Sequence, residues 1–369
     1  MQTGEQLYDE HWTRLTLAAS MQQPDRTPVY LHAGPFAVRQ AGGKMADLVT
    51  HIEYGQELAL QGLLALGDID GADIVEYPVI AGVPFLGHTK LPGRELPEDM
   101  QWQIDERGEM TEDDYDTIIN KGWNYFFADF CQRHLGNALA ELQYFSQVKD
   151  AAEKKFKAAG IVQLSSIFAG PAFGAICGGR SISKFMRDLH RIPDKVAAAL
   201  EAAMEDRIAN FQQQIHAADK QFSVILAVGR GAGDFLTRKA FDRFVWPHIK
   251  KMVEVMAAEG VFIHLHMDMS WDRFLDYFLE LPKGKCIFAP DGSTNMTKVK
   301  EVLAGHMCVM GDVPAALLTL GTPEEVYRYS RSLVDDFAPT GFIMGAGCCV
   351  PLNARPENVK AMIAAAAGK

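Results

Sequence analysis

The sequence predicts a (β/α)8 TIM barrel, an α/β fold, with a helical extension at its N-terminus. Three observations lead there. About eight short β-prone runs alternate with helix-length segments along the 369 residues. The runs are continuously apolar rather than alternating, the pattern of strands covered on both faces in a parallel sheet. No dinucleotide fingerprint marks an open doubly wound sheet, because the last glycine of Val228-Gly-Arg-Gly-Ala-Gly233 comes one residue too early. Barrels of this kind run to about 250 residues or more as one unit, so 1–369 is expected to form a single domain.

The elements follow in order. Residues 4–21 read as a helix, broken by Pro24-Asp-Arg-Thr-Pro28 before the strand Val29-Tyr-Leu-His-Ala33. A helix over 54–66 leads to a short strand at 71–76, and the Pro/Gly-rich residues 78–110 form an excursion over the barrel mouth. Helices over 112–135 and 137–159 precede the strand 161–167. A helix at 182–190 and a long one from Asp194 lead to the strand 222–228. The helix 236–258 starts near Thr237 as N-cap, and Pro247 should kink it. Strands at 261–266, 286–289, 307–311 and 341–345 then alternate with helices at 271–280, 295–304, from Thr322 and from Pro356. Thr322-Pro-Glu-Glu325 is a capping box with proline at the first helical position.

Composition narrows the function. With 36 basic against 47 acidic residues, the formal charge of -11 argues against broad binding to nucleic acid or an anionic membrane. No run of about 18 apolar residues occurs, and Met1-Gln-Thr-Gly-Glu-Gln has no signal-peptide character, so a cytoplasmic protein is expected. Six cysteines in so long a chain do not make a disulfide framework.

Chemistry concentrates at two strand ends. Val261-Phe-Ile-His-Leu-His-Met-Asp268 finishes on His264, His266 and Asp268, and Gly345-Ala-Gly-Cys-Cys-Val-Pro351 presents Cys348 and Cys349. Metal-capable side chains at the C-terminal ends of barrel strands belong at the working face. Bland roles compete with that one. His264 also reads as a core or supporting residue, Asp268 as the cap of a helix starting near Trp271, and Cys349 as a buried neighbour of Cys348. A rival ligand set is Glu280, Cys308 and Cys348. Arg39, Gln40, Arg230, Asp234 and Asp312 fall where strand ends are expected, fit to orient substrate, support a metal or make salt bridges. Glu76 and His88 border the excursion and are candidates to line the entrance.

Several stretches together resemble the uroporphyrinogen decarboxylase superfamily from about residue 25 onward. Val38-Arg-Gln-Ala-Gly42 resembles its N-terminal signature, and Gly170-Pro-Ala-Phe173 its Gly-Pro turn. Gly311-Asp-Val-Pro314 with Gly321-Thr-Pro-Glu-Glu325 resembles a later pair of motifs, and Gly347 to Ala361 its closing strand and helix. The decarboxylases' acid, tyrosine and late histidine would fall near Pro78, near Gly178 and within Gly345-Ala-Gly347, where none of those groups stands. Porphyrinogen decarboxylation is therefore not expected.

The resemblance then points to the corrinoid-linked methyltransferases, of the O-demethylase type. Their zinc-binding His-x-Cys is matched by His266-Met-Asp268, with aspartate in place of cysteine, and their late cysteine by Cys348. The resemblance implies zinc held by His266, Asp268 and Cys348; Asp312 and Arg39, from their expected places at strand ends, are the catalytic candidates. A carboxylate in place of a thiolate makes zinc a harder Lewis acid, suited to an O-methyl ether donor. The chain has no Asp-x-His-x-x-Gly cobalamin-ligating motif, so the corrinoid is expected on a partner protein, and a homodimer is the oligomer the family suggests. The alternatives are a metal-free decarboxylase or lyase, transfer from corrinoid to a thiol or folate, or a barrel that only binds a tetrapyrrole or a protein.

Overall fold

Eight parallel strands close on themselves in the computed structural model, which describes residues 3–218, 220–231 and 235–368. The strands are β1 Tyr30–Leu31, β2 Gly71–Ala72, β3 His88–Lys90, β4 Gln103–Asp105, β5 Ser165–Ala169 and β6 Ser223–Ala227. They continue with β7 Phe262–Met267, β8 Cys286–Pro290, β9 Cys308–Met310 and β10 Phe342–Ile343. β5 to β10 form one parallel ladder in chain order, and β1 pairs with β2. Two single bridges, Gly71 to Val162 and Val29 to Met344, join the pair to both edges of the ladder. Backbone bonds from Ala72 N to Val162 O (3.0 Å) and from Tyr30 N to Met344 O (2.9 Å) make the closure. β3 and β4 form an antiparallel hairpin outside the barrel.

Side-chain alternation divides the core in two. Leu31, Val224, Leu226, Ile263, Leu265, Phe288, Val309 and Phe342 point outward into the main cluster shared with the surrounding helices. Tyr30, Ile287, Ala289, Cys308, Met310 and Ile343 point inward and meet Tyr8, Leu15, Ala18 and Ala19 of the N-terminal helix Gly4–Ala19. That helix, started by a Thr3/Gln6 capping box, therefore plugs the floor of the barrel. Its buried Arg14 bonds Asp70, Asp25 and Glu10, and Asp70 also accepts from Val29 N at 2.8 Å. The extension is thereby tied to the first two strands.

The expected barrel and helical extension are both present. The Thr322/Glu325 capping box starts the helix Pro323–Phe337. Pro247 does more than kink its helix. The chain breaks at Val245 into Arg238–Phe244 and Trp246–Ala258, since proline has no N–H for the preceding turn and its ring crowds that turn's carbonyl. Two expectations need correcting. The helix expected over 271–280 is a 3-10 segment, Leu275–Glu280, and only two residues of the strand expected at 71–76 pair. The helices Gly34–Gln40 and Ala172–Arg180 were not read from the sequence. Among the described residues, no helix is long and apolar enough to cross a membrane.

Candidate metal centre

β7 delivers its residues to the mouth by simple alternation. His264 and His266 share the inward face, and the chain then turns at Met269, whose φ of 68° lies in the left-handed region. Two acceptors hold this turn: Asp291 Oδ2 takes Met269 N at 2.7 Å, and Thr294 Oγ1 takes Trp271 N at 3.1 Å. The turn folds Asp268 back so that its Oδ1 lies 3.2 Å from His266 Nε2. Asp268 does not cap a helix; Trp271 Nε1 donates to its backbone carbonyl instead.

The third side chain comes from the loop after β10. Gly347 passes so close to the Asp291–Gly292 backbone that an added Cβ would lie 2.9 Å from Asp291 O, so only glycine allows the approach. The loop is fixed by Gly347 N to Val313 O (2.9 Å) and Val350 N to His32 O (2.7 Å). Cys348 Sγ then sits 3.7 Å from His266 Nε2. One potential ligand atom from each of His266, Asp268 and Cys348 lies within 4.8 Å of the others, the one such group of three among the described residues.

Neighbouring groups shift the titration of His266 and of Cys348. Burial alone would lower the His266 pKa, but Asp268 and Cys348 outweigh it and lift the imidazole to about 10. Cys348 is lowered to about 4, first by the Cys349 thiol donating to it, with burial opposing and His266 assisting. Cys349 is in turn pushed well above the ordinary thiol value, first by that same bond to Cys348.

Behind the trio lies a polar layer that sequence reasoning missed. His32 stacks on His264 with ring centroids 5.2 Å apart, and its Nδ1 bonds Asp73, which also accepts from Tyr30 Oη. His264 is fully buried and neither of its ring nitrogens is hydrogen-bonded among the described residues; burial, then His32 and His266, hold its pKa well below the ordinary value. It is a neutral neighbour of the trio, its ring 6.3 Å from that of His266. The available signal was the i, i+2 spacing of Tyr30 and His32 in an inward-facing strand.

The remaining candidates scatter. Asp312 is 2% exposed; burial lifts its carboxyl to about 7, opposed by the hydrogen bond from Tyr329 Oη at 2.8 Å. Its partner thus stands on the outer helix Pro323–Phe337. Arg39 and Gln40 are exposed at the end of the helix Gly34–Gln40 and take no part in the cluster. Arg230 pairs with Glu106, strapping the excursion to the loop after β6. His88 pairs with Glu109 at 2.9 Å. Asp234 lies outside the described residues. The rival ligand set is not assembled: Glu280 bonds Lys250 at 2.8 Å on the surface, while Cys308 is fully buried in the barrel floor. At the decarboxylase tyrosine's place, a Cβ on Gly178 would lie 2.1 Å from Phe85 O, which leaves no room for a side chain.

Fold and site together define a β/α barrel with three potential metal ligands gathered at its C-terminal mouth. The uroporphyrinogen decarboxylase (URO-D) family model matches residues 138–368, more than half of the chain, and the protein belongs to that family. Among solved structures, a methyltransferase from Methanosarcina mazei shares the fold with a TM-score of 0.71 at 16% identity, over 97% of this chain and 98% of the other. No curated protein matches the sequence.

Proposed function

We propose that this protein is a zinc-dependent methyltransferase. It would move the methyl group of a small methylated donor, an O-methyl ether, to the cobalt of a corrinoid held by a partner protein. The observation that carries this reading is the convergence of His266, Asp268 and Cys348 at the barrel mouth. Family membership and the fold shared with a structure named as a methyltransferase support it.

The donor set fits zinc. Bonds of about 2.0–2.3 Å in a tetrahedron place donor atoms about 3.3–3.8 Å apart. Here Nε2 lies 3.2 Å from the carboxylate oxygen and 3.7 Å from sulfur. One carboxylate and one thiolate would neutralise a dication, and three ligands leave a fourth position open, as in catalytic sites. Bound there, zinc would supply Lewis acidity toward the donor's oxygen.

The chain's own groups do the rest. The Cys349 thiol beside Cys348 favours its thiolate form; Asp291 holds the turn that aims Asp268; the His32–His264 stack backs the His266 ring. Asp312, bonded to Tyr329, and the exposed Arg39 stand outside this arrangement. We assign Asp312 to holding the loop after β9 rather than to the reacting atoms.

The test is methyl transfer from a methoxyphenol to a reduced cobalt(I) corrinoid protein, followed by visible absorption, before and after zinc is removed by chelation. Transfer that stops on chelation and returns with zinc supports the reading. Transfer unaffected by zinc removal, or none from any methylated donor with zinc loaded, contradicts it.

A further inference from the structure

An open pocket in the helical shell around the barrel shares no residue with the metal trio. It measures about 290 Å3 and is lined by Glu112, Arg180, Lys184, Arg187, Asp188 and Arg191. Its wall begins at Arg180, the last residue of the helix Ala172–Arg180. Ser181, with its φ of 68° in the left-handed region, then turns the chain into the helix Ile182–Arg191. That ten-residue helix is two-faced. Phe185 and Leu189 are buried in the main core, while Lys184, Arg187 and Arg191 follow at i, i+3 and i+7 along the exposed side.

The pocket gathers four cations and two carboxylates, in a chain with 36 basic and 47 acidic residues. Both carboxylates are already engaged. Asp188, 2% exposed, accepts from Arg180 Nε at 2.7 Å, and Glu112 pairs with Arg191. Arg180 is itself buried and also donates to Met110 O at 2.8 Å, which makes it a fixed inner wall. Lys184 donates to a backbone carbonyl, Gly108 O, at 3.0 Å. Arg187 has no hydrogen bond or ion pair among the described residues. Two positive charges, Lys184 and Arg187, thus line the pocket without a carboxylate to match them.

We propose that this pocket is an anion site and that it takes the phosphoryl group of a small phosphate monoester. Two uncompensated cations match a dianion, and a phosphate monoester carries about -1.5 to -2 charges at pH 7. Its three terminal oxygens accept from the Arg187 fork and the Lys184 ammonium at once, whereas a single carboxylate leaves one cation unmatched. The volume lies just below the usual range of small-molecule sites, so the body of the ester is small. Arg180 and Lys184 also hold Met110 and Gly108, which places the anion where the excursion over 78–110 ends. The inference is independent of the methyltransferase reading.

The experiment is calorimetric titration of the full chain with glycerol 2-phosphate, inorganic phosphate and acetate at low ionic strength, where exposed charges are least screened. Both phosphates are expected to bind and acetate is not. Arg187→Ala and Lys184→Ala, at exposed positions, should each weaken glycerol 2-phosphate about tenfold, the loss of one charge-assisted contact. Lys360→Ala, on the last helix Pro356–Ala367, should leave it unchanged. The circular dichroism spectrum and Tm of each variant check folding. No binding of either phosphate to the parent, or either pocket variant binding glycerol 2-phosphate as the parent does, overturns the site. Equal weakening by Lys360→Ala, or acetate binding as tightly as the phosphates, overturns it too, since either describes a diffuse charged surface. Inorganic phosphate binding much more tightly than glycerol 2-phosphate overturns the monoester and leaves free phosphate as the ligand.

Discussion

Replacing Asp312 by asparagine separates a charge from a hydrogen bond. The carboxyl is buried, and its pKa is raised from 3.8 to about 7 by that burial, with the hydrogen bond from Tyr329 partly opposing. A folded-state value above the unfolded one means that the folded protein holds a proton the unfolded chain has released. This contribution to stability is fully present below about pH 4 and is lost as pH rises through 7. The displacement corresponds to about 4 kcal/mol at its upper bound. The asparagine keeps an acceptor for Tyr329 and cannot ionise. Asp312→Asn should therefore be more stable than the parent by about 1.5 kcal/mol at pH 5 and by about 4 kcal/mol at pH 8. For a chain of this length, that is a rise in Tm of about 5 °C at pH 8. Paired thermal unfolding of the two proteins from pH 5 to 8 measures it, and taking the difference cancels the other titrating groups. A difference that stays constant with pH would refute the argument.

Two further predictions follow from the framework of the site. Arg14→Ala removes a buried guanidinium from Asp70, Asp25 and Glu10, and should cost about 3–5 kcal/mol in urea unfolding. Metal stoichiometry should not change, because that network lies at the floor. Asp291→Ala takes the acceptor from Met269 N and frees the turn that carries Asp268. Zinc affinity should fall about 10–100-fold by competition with a chromogenic chelator, as for other outer partners of metal ligands, with little change in Tm.

How much the sequence disclosed depended on how local each feature is. Each strand run was visible because its residues are apolar in succession, and the Thr322 capping box and the Pro247 break are decided within a few residues. The His266/Asp268 pair was suggested by its i, i+2 spacing together with the resemblance to a His-x-Cys motif, while the turn that brings the two side chains together lies beyond the strand. Barrel closure could not, since it rests on two single bridges, Val29 to Met344 and Gly71 to Val162, between residues far apart in sequence. The face taken by Phe168 was hidden for another reason. A register shift between Ser165 and Ile167 breaks the two-residue alternation along β5, so which face Phe168 takes is set by its pairing with Ile225. The segment after Trp271 is apolar enough for a helix, but the turn held by Asp291 and Thr294 takes up its start. The competing ligand set failed on direction: Glu280 faces solvent beside Lys250, and Cys308 lies low in the inner wall.

The most direct test of the central claim is metal content on protein purified without added metal, for the parent, Asp268→Ala, Cys348→Ala and Cys308→Ser. One zinc per chain in the parent and in Cys308→Ser, lost in both other variants, is the predicted result. A parent that takes up no zinc even after incubation with the ion, or an Asp268→Ala variant that keeps it, would contradict the account.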